Sequence, residues 1–389
     1  MEFSYSQTQH RLREQAARIA ADFDGAYWQL VEEEGRFPRE YWERLAGEGM
    51  LGLNVPKRYG GSGLGMLDLS VAVEALCESG TGLGGGALFI VGPVFGGCLM
   101  ERHGNEEQRE RFLPGVARGD VWAGAFTEEA SGSNVSAIGA RAERSENGYV
   151  IEGEKNYVGM AQIGQRMAIL ARTAARDSAN RTEGVSLFVA DLPDERVRAR
   201  PWNKMGTRWM DTNHVSLEGL EVPAGNMIGE EGKAWKPLYD VLNPERIVAA
   251  AASAGTGLWC VRRAAEYANE RTIWSESPIG AYQGIQFPLV ETKMQLDAAL
   301  LKVYEAAWLY DREEPQCATV AAAAKYLAVH AALRAADQAI QTLGGAGYML
   351  ESGIERHWRD LRANRIAPVT DEMTLAYLAQ HDTGMPRSY

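Results

Sequence analysis

The sequence predicts an α+β fold in three parts, and three observations predict it. Apolar residues recur at three-to-four spacing from Ser6 to about Arg118, strand-length segments broken by turn residues run from about Val121 to Gly229, and helical periodicity returns after Gly232. The parts are an N-terminal helical domain over 1–120, a middle β domain over 121–232 and a C-terminal helical domain over 233–389.

The first part is punctuated by loops such as Tyr59-Gly60-Gly61-Ser62-Gly63. Its stretch 103–116, HGNEEQRERFLPGV, reads as a Gly-Asn break, an acidic first turn and a short amphipathic helix. In the middle part the segments 148–153, 167–173, 185–190 and 214–218 have strand length, and Asn147-Gly148 marks a tight turn. The last part holds an Ala-rich helix from Thr319 to Leu343 that Gly344-Gly345 stops. Alanine faces pack closely, which predicts a helical bundle.

Composition narrows the function. The 389 residues give ample volume for a core, and 40 Lys and Arg against 52 Asp and Glu leave a net charge of −12, which opposes nucleic-acid binding in the absence of a basic cluster. The opening MEFSYSQTQHRLREQ lacks the apolar core of a signal peptide, and no uninterrupted apolar run reaches the ~18 residues of a membrane span. The expectation is a cytoplasmic protein with no nucleic-acid or membrane partner. Cys77, Cys98, Cys260 and Cys317 form no C-x-x-C pair and the six histidines have no metal-ligand spacing, so no metal site is expected. Catalysis here would rest on carboxylates or an organic cofactor.

The segment Gly124-Ala-Phe-Thr-Glu-Glu-Ala-Ser-Gly-Ser-Asn134 resembles the signature of the acyl-CoA dehydrogenase family of flavoenzymes. Small residues there let backbone N–H groups approach a flavin edge, and hydroxyls bond the ring carbonyls. Further matches follow in the family's order: Gly153-Glu-Lys-Asn-Tyr-Val158; Lys204-Met-Gly-Thr-Arg208 with Leu217-Glu-Gly-Leu-Glu-Val-Pro223; Glu245-Arg246; Tyr267 to Arg271 with Pro278-Ile279 and Tyr282-Gln283; Gln341-Thr-Leu-Gly-Gly-Ala-Gly347; Arg359-Asp-Leu-Arg362. They span most of the chain. The resemblance implies a middle β-barrel or sandwich domain and a C-terminal four-helix bundle.

It also implies FAD as cofactor and a set of contacts for it. Phe126 and Thr127 would touch the flavin ring, Tyr157 would pack over it, and Val158, Gly159, Thr370 and Glu372 belong to the same set. At Gly159 related enzymes often have Thr or Ser bonded to flavin N5, so this chain departs from the pattern. Arg271 would reach the FAD pyrophosphate across a subunit interface, where a guanidinium fork suits phosphate oxygens, followed by Trp274 and Gln283. Gln341, Gly344 and Gly345 would hold the adenine end. A shared site implies a homotetramer or homodimer.

The family's reaction removes an α-proton to a carboxylate and a β-hydride to flavin N5. Many members place that glutamate near the C-terminus, where this chain has Pro368 in Ile366-Ala-Pro-Val-Thr-Asp-Glu-Met373. A second group, with isovaleryl-CoA and long-chain acyl-CoA dehydrogenases as examples, carries the base just before an Arg on an earlier helix. Glu245-Arg246 occupies that place, and Glu245 is the expected base. Two local readings remain open. Asn243 and Pro244 look like an N-cap and first helical residue, which makes Glu245 a first-turn glutamate favoured by the dipole by ~0.3 to 1 kcal/mol, or up to ~2 kcal/mol when partly buried, against a desolvation beside flavin and acyl chain that raises its pKa by up to ~3 to 5 units and dominates in a closed complex; or, as the resemblance implies, Lys233 to Asn269 is one long helix kinked at Pro244 and the dipole contribution largely disappears.

Ser133 and Arg246 would meet coenzyme A, and Asn243 stands where the family more often has Asp. The leading expectation is an FAD-dependent acyl-CoA α,β-dehydrogenase passing electrons to an electron-transfer flavoprotein. Its variants are a dehydrogenase of an acyl carrier protein thioester, and an acyl-CoA oxidase or flavin monooxygenase of the same fold. A non-catalytic binding protein is the remaining alternative, motivated by Pro368.

Overall fold

The computed structural model describes residues 4–177, 179–274 and 276–387. Its N-terminal part is built from α1 (Gln7–Ala21), α2 (Gly25–Glu34), α3 (Arg39–Gly47), α4 (Met66–Leu76), α5 (Gly82–Gly86), α6 (Leu99–His103) and α7 (Glu106–Arg118). Ser6 caps α1 and Asn105 caps α7, each in a reciprocal capping box with Gln9 or Gln108. The expected break at 103–105 is thus a helix start with its donors satisfied.

The stretch Met66–His103 is helical, long and apolar enough to cross a membrane, which the reading of its sequence did not anticipate. Protein buries 89% of that apolar window, so its hydrophobicity belongs to the core.

The middle part contains β1 (Trp122–Ala125), β2 (Arg141–Arg144), β3 (Gly148–Gly159), β4 (Arg166–Arg172), β5 (Val185–Asp191), β6 (Val197–Pro201), β7 (Thr212–Pro223) and β8 (Met227–Ile228). They form one mixed sheet in the order β6-β7-β3-β2-β4-β5-β8, with β1 parallel to β4. The β2–β3 hairpin turns through Asn147-Gly148, as expected. Four strands matched expectation in position, whereas β1, β2, β6 and β8 are too short or too polar to announce themselves.

Alternation along β4 explains the placement of the sheet. Met167, Ile169 and Ala171 enter a core made of the sheet's own side chains, while Ala168 and Leu170 face the helices. β5 does the same with Phe188 and Ala190 on one side and Leu187 and Val189 on the other. A strand buried on both faces reads as a continuous apolar run, which is why these two were legible.

The C-terminal part has three long helices, α8 (Trp235–Glu270), α9 (Gln283–Asp311) and α10 (Cys317–Leu343), and two short ones, α11 (Ile354–Ala363) and α12 (Asp371–His381), that pack against α10. The middle of α8 is a buried run of small residues, Ala249 to Ala252 and Ala254, that lets neighbouring helices approach. One core cluster joins the N-terminal helices, the outer face of β4 and β5, and the C-terminal helices.

A polar clamp at α11 ties all three parts. Asp360 accepts the Thr207 backbone N–H and, at 3.2 Å, the Trp209 indole N–H, and Arg359 donates to Met205 O at 2.8 Å and to Glu32 of α2 at 2.5 Å. Burial pushes the Asp360 carboxyl up to about 6 while the Thr207 N–H pulls it down. Asp360→Ala leaves two buried donors unpaired, and we expect a loss of about 1–3 kcal/mol read by urea unfolding. An unchanged unfolding midpoint contradicts the clamp.

Candidate active site

α8 runs without interruption through Pro244, so Asn243 and Pro244 lie inside the helix and do not start one. The stabilisation of Glu245 by a helix N-terminus therefore falls away, because the dipole acts only within the first turn. Packing of the small-residue run downstream outweighs the local cap signal. Glu245 is partly buried, and among the described residues its carboxyl makes no hydrogen bond or ion pair. Burial pushes it up to about 8, against the pull of the Arg246 and Lys325 cations.

Arg246 is 8% exposed. Its Nη1 donates to Asn243 Oδ1 at 3.3 Å, its guanidinium lies 6.0 Å from the Tyr377 ring centroid, and its Nε is buried with no partner. An orphaned cationic donor is a ready place for an anionic or carbonyl group. Asn243 and Arg246 are thus brought together on one face of α8.

Lys325 was not singled out from the sequence. It is fully buried on α10, where its Nζ donates to Val369 O at 2.8 Å and lies 4.0 Å from Asp371 Oδ1. Burial brings the ammonium down to about 8, with Asp371 and Glu245 opposing and Arg246 assisting. Asp371 in turn pairs with Arg365 Nε at 2.6 Å and His330 Nε2 at 2.8 Å, and these contacts outweigh its own desolvation and hold its carboxyl below the usual range. The turn that carries Pro368 and Thr370 is fastened by these groups. Thr370 caps α12 through the Met373 N–H, and Glu372 is exposed beside it.

A second set of expected residues gathers where β1 ends. Phe126 packs edge-on to Phe95 at 5.8 Å, and the Thr127 carbonyl accepts the Asn156 N–H at 2.8 Å. Fully buried Lys155 donates to Glu128 at 2.8 Å and approaches Phe126 O at 3.4 Å. Tyr157 is 65% exposed with φ +58°, while its neighbour Val158 is buried. Gly159 lies against Met210, whose Sδ would be 3.2 Å from an added Cβ. Ser133 is exposed in the loop after this segment.

The remaining residues sit at helix ends. Arg271 caps α8 through its backbone, but its guanidinium has no ion pair among the described residues; Trp274 beside it is 94% exposed, and Gln283 opens α9. Gln341 closes α10, and the Cβ positions of Gly344 and Gly345 meet only open space. Unpaired cationic donors, exposed aromatics and open glycine backbone are what FAD requires of a protein: phosphate ligands, a ring platform and close main-chain approach. The residues present fit the cofactor. Cavities of about 630 Å³ between α8 and α9 and about 440 Å³ at the α1–α2 turn do not include Glu245 in their walls. No cluster of metal-ligating side chains occurs among the described residues.

Comparison with known proteins identifies the family and the fold. The chain matches the descriptions "Acyl-CoA dehydrogenase, N-terminal domain" over residues 6–120, "middle domain" over 123–220 and "C-terminal domain" over 233–381. It is 34% identical over 389 residues to acyl-CoA dehydrogenase FadE12 of Mycobacterium tuberculosis, covering 100% of this chain and 99% of that one. Among solved structures it resembles butyryl-CoA dehydrogenase from Megasphaera elsdenii (27% identity, TM-score 0.91, 96% and 98% covered), the prolyl acyl carrier protein oxidase AnaB (26%, 0.90, 97% and 99%) and an FAD complex of PigA (25%, 0.91, 99% and 100%).

The raised Glu245 pKa of about 8 has a consequence for stability that needs no substrate. An unfolded glutamate titrates near about 4.3, so between that pH and about 8 the folded state holds a proton that the unfolded state has lost, and rising pH costs stability. Glu245→Gln abolishes the cost. Urea unfolding should show the variant gaining on the parent as pH rises from about 5 to about 8; an equal difference at both contradicts the buried carboxyl.

Proposed function

Because this chain belongs to the acyl-CoA dehydrogenase family of FAD-dependent oxidoreductases, we propose that it introduces an α,β double bond into an acyl-CoA thioester, with Glu245 taking the α-proton. The observation that carries this is a partly buried carboxyl without a protein partner, raised to about 8, on a helix beside an orphaned arginine nitrogen. Such a group is basic enough to accept a carbon-bound proton and is not already engaged. FAD, when bound, supplies the acceptor for the β-hydride at flavin N5.

The chain's own residues then divide the work. Arg246 and Asn243, with Ser133 at the loop, hold the thioester's pantetheine or nucleotide portion. Phe126, Thr127, Val158, Gly159, Thr370 and Glu372 surround the flavin ring and Tyr157 covers it. Arg271, Trp274, Gln283, Gln341, Gly344 and Gly345 take the pyrophosphate and adenine of a cofactor shared between subunits of a homotetramer or homodimer. Lys325 and Arg246 keep the ionised form of Glu245 accessible by their charge. An electron-transfer flavoprotein is the electron acceptor in this reading.

Similarity to a prolyl acyl carrier protein oxidase supports a second reading, in which the acyl group rides on a carrier protein or oxygen accepts the electrons. Bleaching of the flavin by carrier-bound thioester alone selects the first variant, and rapid reoxidation in air with peroxide release selects the second.

Anaerobic mixing with a panel of acyl-CoAs should bleach the flavin. Glu245→Gln should keep FAD yet slow bleaching by about 10²–10⁴-fold, the range for losing a general base; near-normal bleaching overturns the assignment. In the parent, the base must be ionised, so the reduction rate should rise with pH through about 8 and level off above it.

A further inference from the structure

The β3–β7 pairing runs from Gly148 opposite Pro223 to Lys155 opposite Val215, breaks, and resumes with Val158 opposite Asn213. Asn156 and Tyr157 lie in the break. A bulge of this kind disrupts the alternation of a strand and re-aims its side chains. Here Lys155 and Asn156 both turn inward, Asn156 only 7% exposed, and the Tyr157 ring is thrown outward.

Tyr157 adopts φ +58°, the left-handed region that a residue bearing a side chain rarely occupies. Surrounding contacts must hold such a conformation. Asn156 supplies them. Its Oδ1 accepts the Tyr157 N–H at 3.0 Å and the Trp202 indole N–H at 2.8 Å, while its own N–H donates to Thr127 O at 2.8 Å. The Asn156 carboxamide therefore links the bulge to the loop 202–211, while its backbone N–H ties the same residue to the Phe126–Thr127 segment.

The base of the bulge is rigid. Lys155 is paired with Glu128, whose carboxylate also accepts the Gly139 and Ala140 N–H groups at 2.6 and 3.0 Å. On the far side, Asn213 Nδ2 donates to Val158 O at 3.1 Å. Between these two anchors the Tyr157 N–H is held by Asn156 Oδ1.

We propose that Asn156 is a positioning residue, which by accepting the Tyr157 and Trp202 N–H groups together keeps the Tyr157 ring turned outward over the bound flavin. This rests on the reading above that Tyr157 covers the cofactor. Loss of the restraint would let Tyr157 relax to negative φ and uncover the ring to solvent.

The test uses the FAD-loaded protein without substrate and reads quenching of flavin fluorescence by iodide. Tyr157→Ala is the reference for an uncovered ring. Asn156→Ala should raise quenching to the Tyr157→Ala level, the double variant should go no higher, and Asn156→Asp, which keeps the acceptor, should remain at the parental level. Trp202→Phe should fall between. Unchanged quenching in Asn156→Ala while Tyr157→Ala rises overturns the role of Asn156 alone, as does an additive double variant. Unchanged quenching in Tyr157→Ala overturns the covering role of Tyr157, and the proposal with it.

Discussion

A partly buried carboxyl group without a hydrogen bond is the constraint on which the C-terminal half of the molecule depends. An isolated buried charge is expensive, so the interior around Glu245 must offer compensation without neutralising its basicity. Arg246 and Lys325 do this through their charge. Lys325 then needs its own support, which it takes from Val369 O and Asp371, and Asp371 is held by Arg365 and His330. The course of the chain between α11 and α12 follows from this succession of charges.

The same succession explains what the sequence revealed and what it concealed. Lys325 sits in an alanine-rich helix at the spacing of Ala321, Ala328 and Ala332, all buried, and so lies on the inner face of that helix. A lone lysine among alanines nevertheless reads as a solvated residue. At Asn243-Pro244-Glu245 the local signal was a helix start, and the packing of Ala249 to Ala254 overrode it. Glu245 and Arg246 were legible through the family pattern rather than through any property of the tripeptide. Asn156 and Trp202 are far apart in sequence, and their hydrogen bond had no sequence signal.

The acidic balance of the chain has a local answer. Many cations are tied to carboxylates, as Arg13 is to Glu74 and Glu78 and Arg359 is to Glu32 and Glu355. Arg246 and Arg271 have no such partner among the described residues, so their charge is available to an incoming anion. A protein with net charge −12 thus retains positive potential at two points on α8. The buried arginine lies near Glu245 and the exposed one at the C-terminal end.

Gly159 bears on how this site changes over generations. A β-carbon there would press on Met210 Sδ at 3.2 Å, a contact relieved when the thioether gives by a few tenths of an ångström. Methionine is the side chain best able to give. The missing hydroxyl is therefore not locked out by the surrounding packing. On the reading proposed above, a lineage carrying this glycine stands one substitution from a hydroxyl-bearing residue at the flavin edge and can make it without first rebuilding the strand, so the glycine is a reversible state in sequence space.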